Sequence, residues 1–506
     1  MTQSVRMRTP DTADPDPAAG HPHSRARMGG HAVWAVMGQG AGQLLSLLFF
    51  LVIARFVSQA SFGLLAVSLA IVEVIRRLLF DPVANATNAQ ATVTDRDYDL
   101  CFNVLLVTGG LGAAMLMVLA GEVTSLIGSP EAAPVLRVTA LILLAMSLSG
   151  THGAWLARAM HFRALAIRST LSVVCGGAVG LGMALAGYDL WSLVGQQLTI
   201  NLFNIVTLWA STPYRPRPVV TRAGLRDLWQ RVRHISLSAV WNAIASDADL
   251  FFASAWFGPA VAGVYNAAKR IMLSANLMLV NAISSVALPT LAAIGTSPAR
   301  GRAFLGGLTA ASMVTAPAFA GLAAASPFVV DVLLGPRWHA AAPILAALAV
   351  SGYLLSLGQF ATLTLMVERR THLDSLTSAL AAAATVIAML VAAPYGPVAL
   401  AGAFSLATSV VLPVRMRFAL GALGLGWGAL LRALAPSAGA ALLMTTGLIA
   451  VRPLLDARLP RIAALAVLIA LGLAAYVALL RILAPSLFRS TCDAALEMVG
   501  RRRSPA

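Results

Sequence analysis

The chain repeats one pattern of apolar segments after about two hundred residues. Three short stretches recur in the same order, at offsets of 200, 207 or 209, and 207 residues. They are Phe62-Gly63 with Ala262-Gly263, Ile127-Gly128 and Ala133-Pro134 with Leu334-Gly335 and Ala342-Pro343, and Tyr188 and Gly195 with Tyr395 and Gly402. A duplicated bundle has a seam between its halves, and membrane proteins use such a seam for a site that can face either side of the bilayer.

The apolar content of the chain decides the class of protein. Of the 506 residues, 58% are hydrophobic and 11% are charged, whereas soluble domains average about 25% charged residues. Fourteen apolar stretches reach the roughly 20 residues that a helix needs to cross a hydrocarbon layer of about 30 Å. The chain is therefore predicted to be an all-α polytopic membrane protein with about 14 transmembrane helices. Its three cysteines show no paired spacing, so neither a disulfide nor a metal site is predicted.

The repeat divides the chain into predicted segments. These are a disordered cytoplasmic tail (1–31), an N-terminal six-helix lobe (32–210), a basic amphipathic linker on the inner surface (211–233), a second six-helix lobe (234–418), two additional transmembrane helices (419–485) and a cytoplasmic tail (486–506). Six is an even number, so both lobes enter the membrane from the same side. We therefore expect parallel repeats related by a pseudo-two-fold axis along the membrane normal.

The basic residues predict the orientation. Most of the 36 arginine and lysine residues fall in tails and loops on the side of the amino terminus, which is the pattern of cytoplasmic loops. Both termini are thus predicted to be cytoplasmic. The net charge of +16 then results from basic cytoplasmic loops that lie near anionic lipid headgroups. The basic residues are scattered over short loops, which argues against nucleic acid as a partner.

Several charged residues lie within the second predicted span. A charge near the bilayer centre costs about 3 kcal/mol or more, so such residues normally face a cavity or a partner. Glu73, Arg77 and Asp81 are each four residues apart and share one helical face, which Arg76 can join. Two interpretations stay open. Either this cluster is a neutral structural unit at a helix kink before Pro82, or Arg76 and Arg77 point into the cleft between the lobes and bind an anion.

Lys269 and Arg270 lie about nine residues into the eighth span, which places them roughly 14 Å deep. Neither has an acidic residue within four positions, so a partner must come from another helix or from a ligand. We expect an anion-binding role for both, with a structural pair to Asp247 or Asp249 as the alternative. The two aspartates are about 200° apart on their helix and cannot both face one cavity.

Asp247, Asp249 and Glu73 are accordingly candidates for ion coupling or for charge pairing with the cations. A buried carboxylate beside a cation can act as a switch that binds a proton or sodium ion. The alternative for the aspartates is that they reach water at the outer end of their helix. Amides within spans, such as Gln43, Asn242 and Gln359, more often hydrogen-bond between helices than contact a ligand.

The chain lacks the common catalytic motifs. It contains no phosphate-binding GxxxxGK[ST] loop, no HExxH zinc motif and no nucleophile elbow. We therefore predict that it is not an enzyme and that it needs no cofactor, with a proton or sodium gradient as the expected source of energy.

Two stretches carry a family resemblance. Residues 54–66, ARFVSQASFGLLA, resemble the first-loop signature of the Wzx-type polysaccharide transporters, and residues 249–270 are similar to the matching stretch of their second half. The resemblance implies a bacterial inner-membrane flippase of the multidrug/oligosaccharidyl-lipid/polysaccharide exporter superfamily. Such proteins move polyprenyl-pyrophosphate-linked oligosaccharides to the outer leaflet for exopolysaccharide, capsule or lipopolysaccharide biosynthesis. It also implies a polysaccharide polymerase and a chain-length regulator as partners.

The chemistry of that substrate matches the charged residues. An anionic, hydrated pyrophosphate that crosses hydrocarbon needs cations at mid-depth to replace its lost solvation. Arg76, Arg77, Lys269 and Arg270 are the predicted substrate-binding residues for the pyrophosphate and oligosaccharide. The polyprenyl tail would stay in lipid, and the two helices after residue 427 are a candidate groove for it.

Three other functions remain open at this point. A lipid II flippase would share the spans and the cations. A multidrug or cation antiporter of the same superfamily would share the lobes, although its cavity should be acidic or aromatic. A membrane scaffold of a polysaccharide synthesis complex would move nothing.

Overall fold

The computed structural model describes residues 40–88, 90, 93–293 and 297–485. Both predicted tails, 1–31 and 486–506, lie outside the described residues, and most of the described chain is helical. The α-helices are α1 (Gly40–Ile53), α2 (Gln59–Ile75), α3 (Asp81–Asn88), α4 (Asp95–Leu126), α5 (Ala133–Thr139), α6 (Leu141–Arg158), α7 (Phe162–Leu185), α8 (Leu190–Ser211), α9 (Arg222–Ala293), α10 (Ser297–Leu333), α11 (Ala341–Val367), α12 (Thr371–Ala392), α13 (Pro397–Leu423), α14 (Trp427–Arg458) and α15 (Arg461–Leu483).

Within the described residues, nine helices are long and apolar enough to cross a membrane. The remaining rods are α1, the continuous α2–α3 unit, α8 and the two arms of α9. The described part of α1 is short, whereas the α2–α3 unit and α9 carry the charged residues singled out above. The predicted all-α polytopic fold is confirmed.

The helix α9 spans 72 residues and breaks at Gly258, whose φ of 80° lies in the region that favours glycine. Its first arm (222–257) begins inside the predicted linker 211–233, of which only 212–221 lacks regular structure. Leu228 and Val232 are buried among apolar residues of α2, α4 and α6. The amphipathic part of the predicted linker is therefore the beginning of the first arm of α9, and it packs against the first lobe. The lobe boundary predicted at 233 falls within a helix.

Repeat-related loops and helix ends exchange contacts between the lobes. The Trp338 indole donates a hydrogen bond from Nε1 to the Ala54 carbonyl oxygen at 3.0 Å. In the other direction, the hydroxyls of Ser129 and Ser254 lie 2.5 Å apart. The loops of Ser129 and Trp338 correspond in the repeat, as do Ala54 and Ser254, so the contacts are reciprocal, as a two-fold axis requires. Both contacts lie at the end of the bundle predicted to be outside.

A π-helix (Arg76–Phe80) joins α2 to α3. Pro82 has no backbone N–H, so the carbonyl oxygen of Leu78, four residues earlier, loses its normal helical partner. The Ser236 hydroxyl on the first arm of α9 donates to that oxygen at 3.0 Å. The kink expected before Pro82 therefore also ties α2–α3 to the neighbouring rod.

Candidate functional site

Two cavities lie on either side of the paired arms of α9. The central cavity has a volume of about 420 Å³ and lies between α1, α2, α6, α8 and α9. Its polar lining residues are Gln43, Glu73, Gln197, Asn201, Asp247, Asn266, Lys269, Arg270 and Ser274. The C-lobe cavity, about 410 Å³, lies between α9, α11, α12 and α13, with Arg77 of the π-helix at its edge. Its polar lining residues are Arg77, Asn242, Ser246, Asp247, Lys269, Gln359, Thr362, Asp374, Ser378, Thr385, Thr408 and Arg415.

The two arginines of the π-helix are held by carboxylates. Arg76 donates to Glu73 at 2.5 and 2.7 Å and to Asp81 at 2.6 Å. Arg77 donates to Glu73 at 3.1 Å and, across the seam, to Asp247 on α9 at 2.9 Å. Arg76 lines neither cavity, whereas Arg77 borders the C-lobe cavity. Arg76 is therefore neutralised by carboxylates of its own cluster, as in the interpretation of that cluster as a neutral structural unit. Arg77 instead links the two halves of the chain through Asp247.

Lys269 and Asp249 form a buried ion pair across the kink of α9. Their Nζ and Oδ1 atoms are 2.6 Å apart, and the Asp249 side chain is fully buried. The other oxygen of Asp249 accepts a hydrogen bond from the Tyr265 hydroxyl at 2.9 Å. Lys269 also donates to the Ser246 carbonyl oxygen. The structure thus gives Lys269 an internal carboxylate, which is the alternative left open above.

Arg270 has different surroundings. Its Nη2 donates to the Ser46 hydroxyl at 2.9 Å, and its guanidinium carbon lies 4.5 Å from the centre of the Phe50 ring. Both partners belong to α1 and neither is charged. Among the described residues, Arg270 is the only one of the four candidate cations that forms no ion pair. A half-buried guanidinium with neutral partners favours an anionic ligand.

Three of the four candidate cations pair with four carboxylates, and three of these carboxylates are the predicted charge partners Glu73, Asp247 and Asp249. Positive charge is therefore concentrated at Arg270 and not spread over the cluster. Sequence reasoning missed Ser46 and Phe50, because nothing distinguishes them from the other residues of an apolar helix.

The described residues contain no group of three or more histidine, cysteine, aspartate or glutamate side chains arranged to hold a metal ion.

Comparison with known proteins identifies the family. Residues 52–343, more than half of the chain, match the model of a family described as polysaccharide biosynthesis protein. The chain belongs to this family of polysaccharide biosynthesis proteins. It is 27% identical over 328 residues to the succinoglycan biosynthesis transport protein ExoT of Rhizobium meliloti, covering 64% of this chain and 66% of that protein, just under two thirds.

Further relatives support the assignment. The lipopolysaccharide biosynthesis protein WzxC of Escherichia coli is 22% identical over 337 residues, covering 65% of this chain and 68% of that protein. Among solved structures, an inward closed conformation of the lipid II flippase MurJ superposes with a TM-score of 0.75 at 13% identity, covering 90% of this chain and 99% of that chain. The resemblance to Wzx-type transporters is confirmed, and the chain shares the multi-pass helical fold of MurJ. The family and the similar proteins are transporters and not enzymes, as expected.

Proposed function

We propose that this polysaccharide biosynthesis protein moves polyprenyl-pyrophosphate-linked oligosaccharide from the cytoplasmic to the outer leaflet of the bacterial inner membrane. The observation that carries the proposal is Arg270, a cation in a cavity at the seam of a duplicated bundle that has no ion pair within the described part of the chain. The family match supports polysaccharide synthesis as the process that the protein serves.

Arg270 supplies the main attraction for the pyrophosphate. A charge-assisted hydrogen bond contributes about 1.5–3 kcal/mol, and the amides of Gln43 and Asn266 offer neutral donors in the same cavity. Arg77 and Lys269 can bind the pyrophosphate only if each first gives up its ion pair with an aspartate. Such an exchange would release Asp247 from Arg77 and so weaken one link between the halves of the chain.

Transport follows from opening the two ends of the bundle in turn. The end predicted to be outside is closed by the reciprocal contacts of Trp338 with Ala54 and of Ser129 with Ser254. Towards the other end, Arg77–Asp247 and Ser236–Leu78 connect α2–α3 to α9. Alternating access requires that one set of contacts breaks while the other holds.

The polyprenyl tail is proposed to lie in a groove on the lipid side. An apolar groove of about 390 Å³ runs between α10, α14 and α15. It is lined by side chains such as Leu322, Val329, Leu468 and Leu473. Such a surface suits an isoprenoid chain, which gains nothing from polar contacts.

A proton or sodium gradient is proposed to drive transport, with Asp247 as the candidate coupling group because it lines both cavities. Both termini are proposed to be cytoplasmic. A polymerase and a chain-length regulator are the proposed protein partners.

The test is flipping of a lipid-linked oligosaccharide by the purified protein in vesicles. Arg270→Gln removes the charge and should lower the rate at subsaturating substrate about 10- to 100-fold. Arg270→Lys should retain part of the activity. Arg432→Gln, the same charge change at an exposed residue that lines neither cavity, is the matched control and should leave the rate unchanged.

Other results would point elsewhere. No flipping by the folded wild-type protein would favour the scaffold. Flipping of lipid II at the same rate would favour a lipid II flippase. Export of organic cations, independent of Arg270, would favour a drug antiporter.

A further inference from the structure

The C-lobe cavity is rich in uncharged polar side chains. Asn242 of α9, Gln359 and Thr362 of α11, and Ser378 and Thr385 of α12 all line it. Asn242 and Gln359 are exposed, and within the described part of the chain the Gln359 amide has no hydrogen-bond partner. Amides and hydroxyls both donate and accept hydrogen bonds, which allows them to bind a ligand with many hydroxyl groups.

The charges of this cavity are compensated. Arg77 pairs with Asp247, Lys269 pairs with Asp249, and the Nε atom of Arg415 lies 3.9 Å from Asp374 Oδ1. Arg415 is also hydrogen-bonded to the hydroxyls of Thr377 and Ser378 at 3.1 and 3.3 Å. Because each cation already has a carboxylate, the C-lobe cavity offers little to an anion. Its free capacity lies in neutral hydrogen bonding, in contrast to the surroundings of Arg270.

The two cavities share a wall. Asp247, Lys269 and Leu273 border both of them. The two cavities are therefore adjacent, close enough for a single elongated ligand to place an anionic group beside Arg270 and a neutral portion in the C-lobe cavity. The volume of about 410 Å³ lies within the roughly 300–1,000 Å³ of small-molecule sites.

We propose that the C-lobe cavity is a saccharide subsite that binds the neutral sugar residues of the substrate, with Asn242 and Gln359 as its main hydrogen-bonding groups. This inference rests on the proposed function, because it assigns the pyrophosphate to Arg270 in the central cavity. The subsite determines how well the protein distinguishes a glycosylated lipid from the bare lipid pyrophosphate.

The test compares the affinities of the purified protein for two probes. One probe is polyprenyl pyrophosphate without sugar, and the other is the lipid-linked oligosaccharide extracted from cells that make the polysaccharide. The wild-type protein should bind the glycosylated probe at least about tenfold more tightly. The double variant Asn242→Leu/Gln359→Leu should lose this preference and bind the bare probe as before. Arg270→Gln should weaken the binding of both probes by a similar factor.

A second variant guards against misfolding of the first. Ala381→Phe fills the C-lobe cavity from α12 without removing a polar group and should abolish the same preference. Thr309→Val on α10, outside both cavities, is the control and should change neither affinity.

The outcomes separate the two proposals. Equal affinity of the wild-type protein for both probes would overturn the saccharide subsite and leave the role of Arg270 intact. An equal loss of affinity for both probes in the cavity variants would also overturn the saccharide subsite. Failure of the folded wild-type protein to bind either probe would overturn the proposed function and this inference with it.

Discussion

Gly63 and Gly263 occupy equivalent positions in the two halves of the chain and face each other where α2 crosses the second arm of α9. A Cβ atom on Gly63 would lie 1.8 Å from the Pro259 carbonyl oxygen, and one on Gly263 would lie 2.0 Å from the Gln59 carbonyl oxygen. Both distances are far below van der Waals contact with backbone atoms that cannot rotate away. The halves therefore meet at their axis through a backbone contact that tolerates no side chain.

Replacing Gly63 or Gly263 with alanine should push the two helices apart. Overpacking of this kind costs about 1–3 kcal/mol, so we expect a lower unfolding midpoint. Gly402→Ala on α13 is the control, because its Cβ would meet no atom of the described residues within 4 Å. An unchanged unfolding midpoint for both variants at the axis would contradict the close approach.

Trp338 should contribute to closing the end predicted to be outside. It is almost fully buried, it donates to Ala54, and its ring packs edge-on against Phe62 at 5.4 Å. Trp338→Phe leaves the Ala54 carbonyl oxygen without this donor. We expect the free energy of unfolding, measured by thermal unfolding, to fall by about 1–3 kcal/mol. Trp229→Phe, at a residue that is 66% exposed, should have a much smaller effect.

The Lys269–Asp249 pair should behave as a coupled structural unit. Removing one partner leaves a buried charge without compensation, so Lys269→Met or Asp249→Asn should each cost about 3–5 kcal/mol. The double variant should recover part of that loss, as measured by unfolding of all four proteins in a double-mutant cycle. We expect the folded double variant to keep flipping. Loss of flipping by a stable double variant would instead show that Lys269 contacts the substrate.

Asp189 should make stability depend on acidity. It precedes α8 and accepts from the Ser58 backbone N–H at 2.7 Å and from the Ser61 hydroxyl at 2.6 Å. Burial alone would raise the pKa of Asp189, but these hydrogen bonds outweigh it, so that the pKa lies below its ordinary value.

Because the folded-state pKa of Asp189 is lowered, its contribution is complete above the unfolded value of about 3.9 and disappears as the pH falls through the folded value. Asp189→Ala should reduce stability at neutral pH and remove this part of the acid dependence. Unfolding midpoints measured from neutral to acidic pH provide the test. Parallel curves for the two proteins would disprove the role of Asp189.

The groove between α10, α14 and α15 should accept the polyprenyl tail. Gly321→Leu would fill it, since the nearest atom to a Cβ at this position is the flexible Met444 Cε at 4.0 Å. We expect weaker binding of a long-chain substrate but not of an analogue with a short isoprenoid chain. A similar loss of affinity for both chain lengths would argue against the groove as the binding site of the polyprenyl tail.

Local patterns were sufficient to identify the helices and the charged residues. Spans of apolar residues predicted the rods, and Pro82 predicted the kink, because both effects act within a few residues of the chain. The linker was only partly predictable. Its amphipathic pattern indicated a helix with an apolar face, but not that Leu228 and Val232 pack against the first lobe.

The amino-acid sequence by itself determined the membrane class, the duplication and the four cations worth considering, because hydropathy, repeat offsets and charge can be read residue by residue. Only the tertiary structure showed which of the four cations has no ion pair among the described residues. Asp247 reaches Arg77 across 170 residues, and Asp249 reaches Lys269 across a helix kink. Of the residues that the structure describes, Arg270 meets only neutral partners, both on α1. Charge compensation depends on distances of a few ångströms between separate helices, and the spacing of residues along one chain does not encode them.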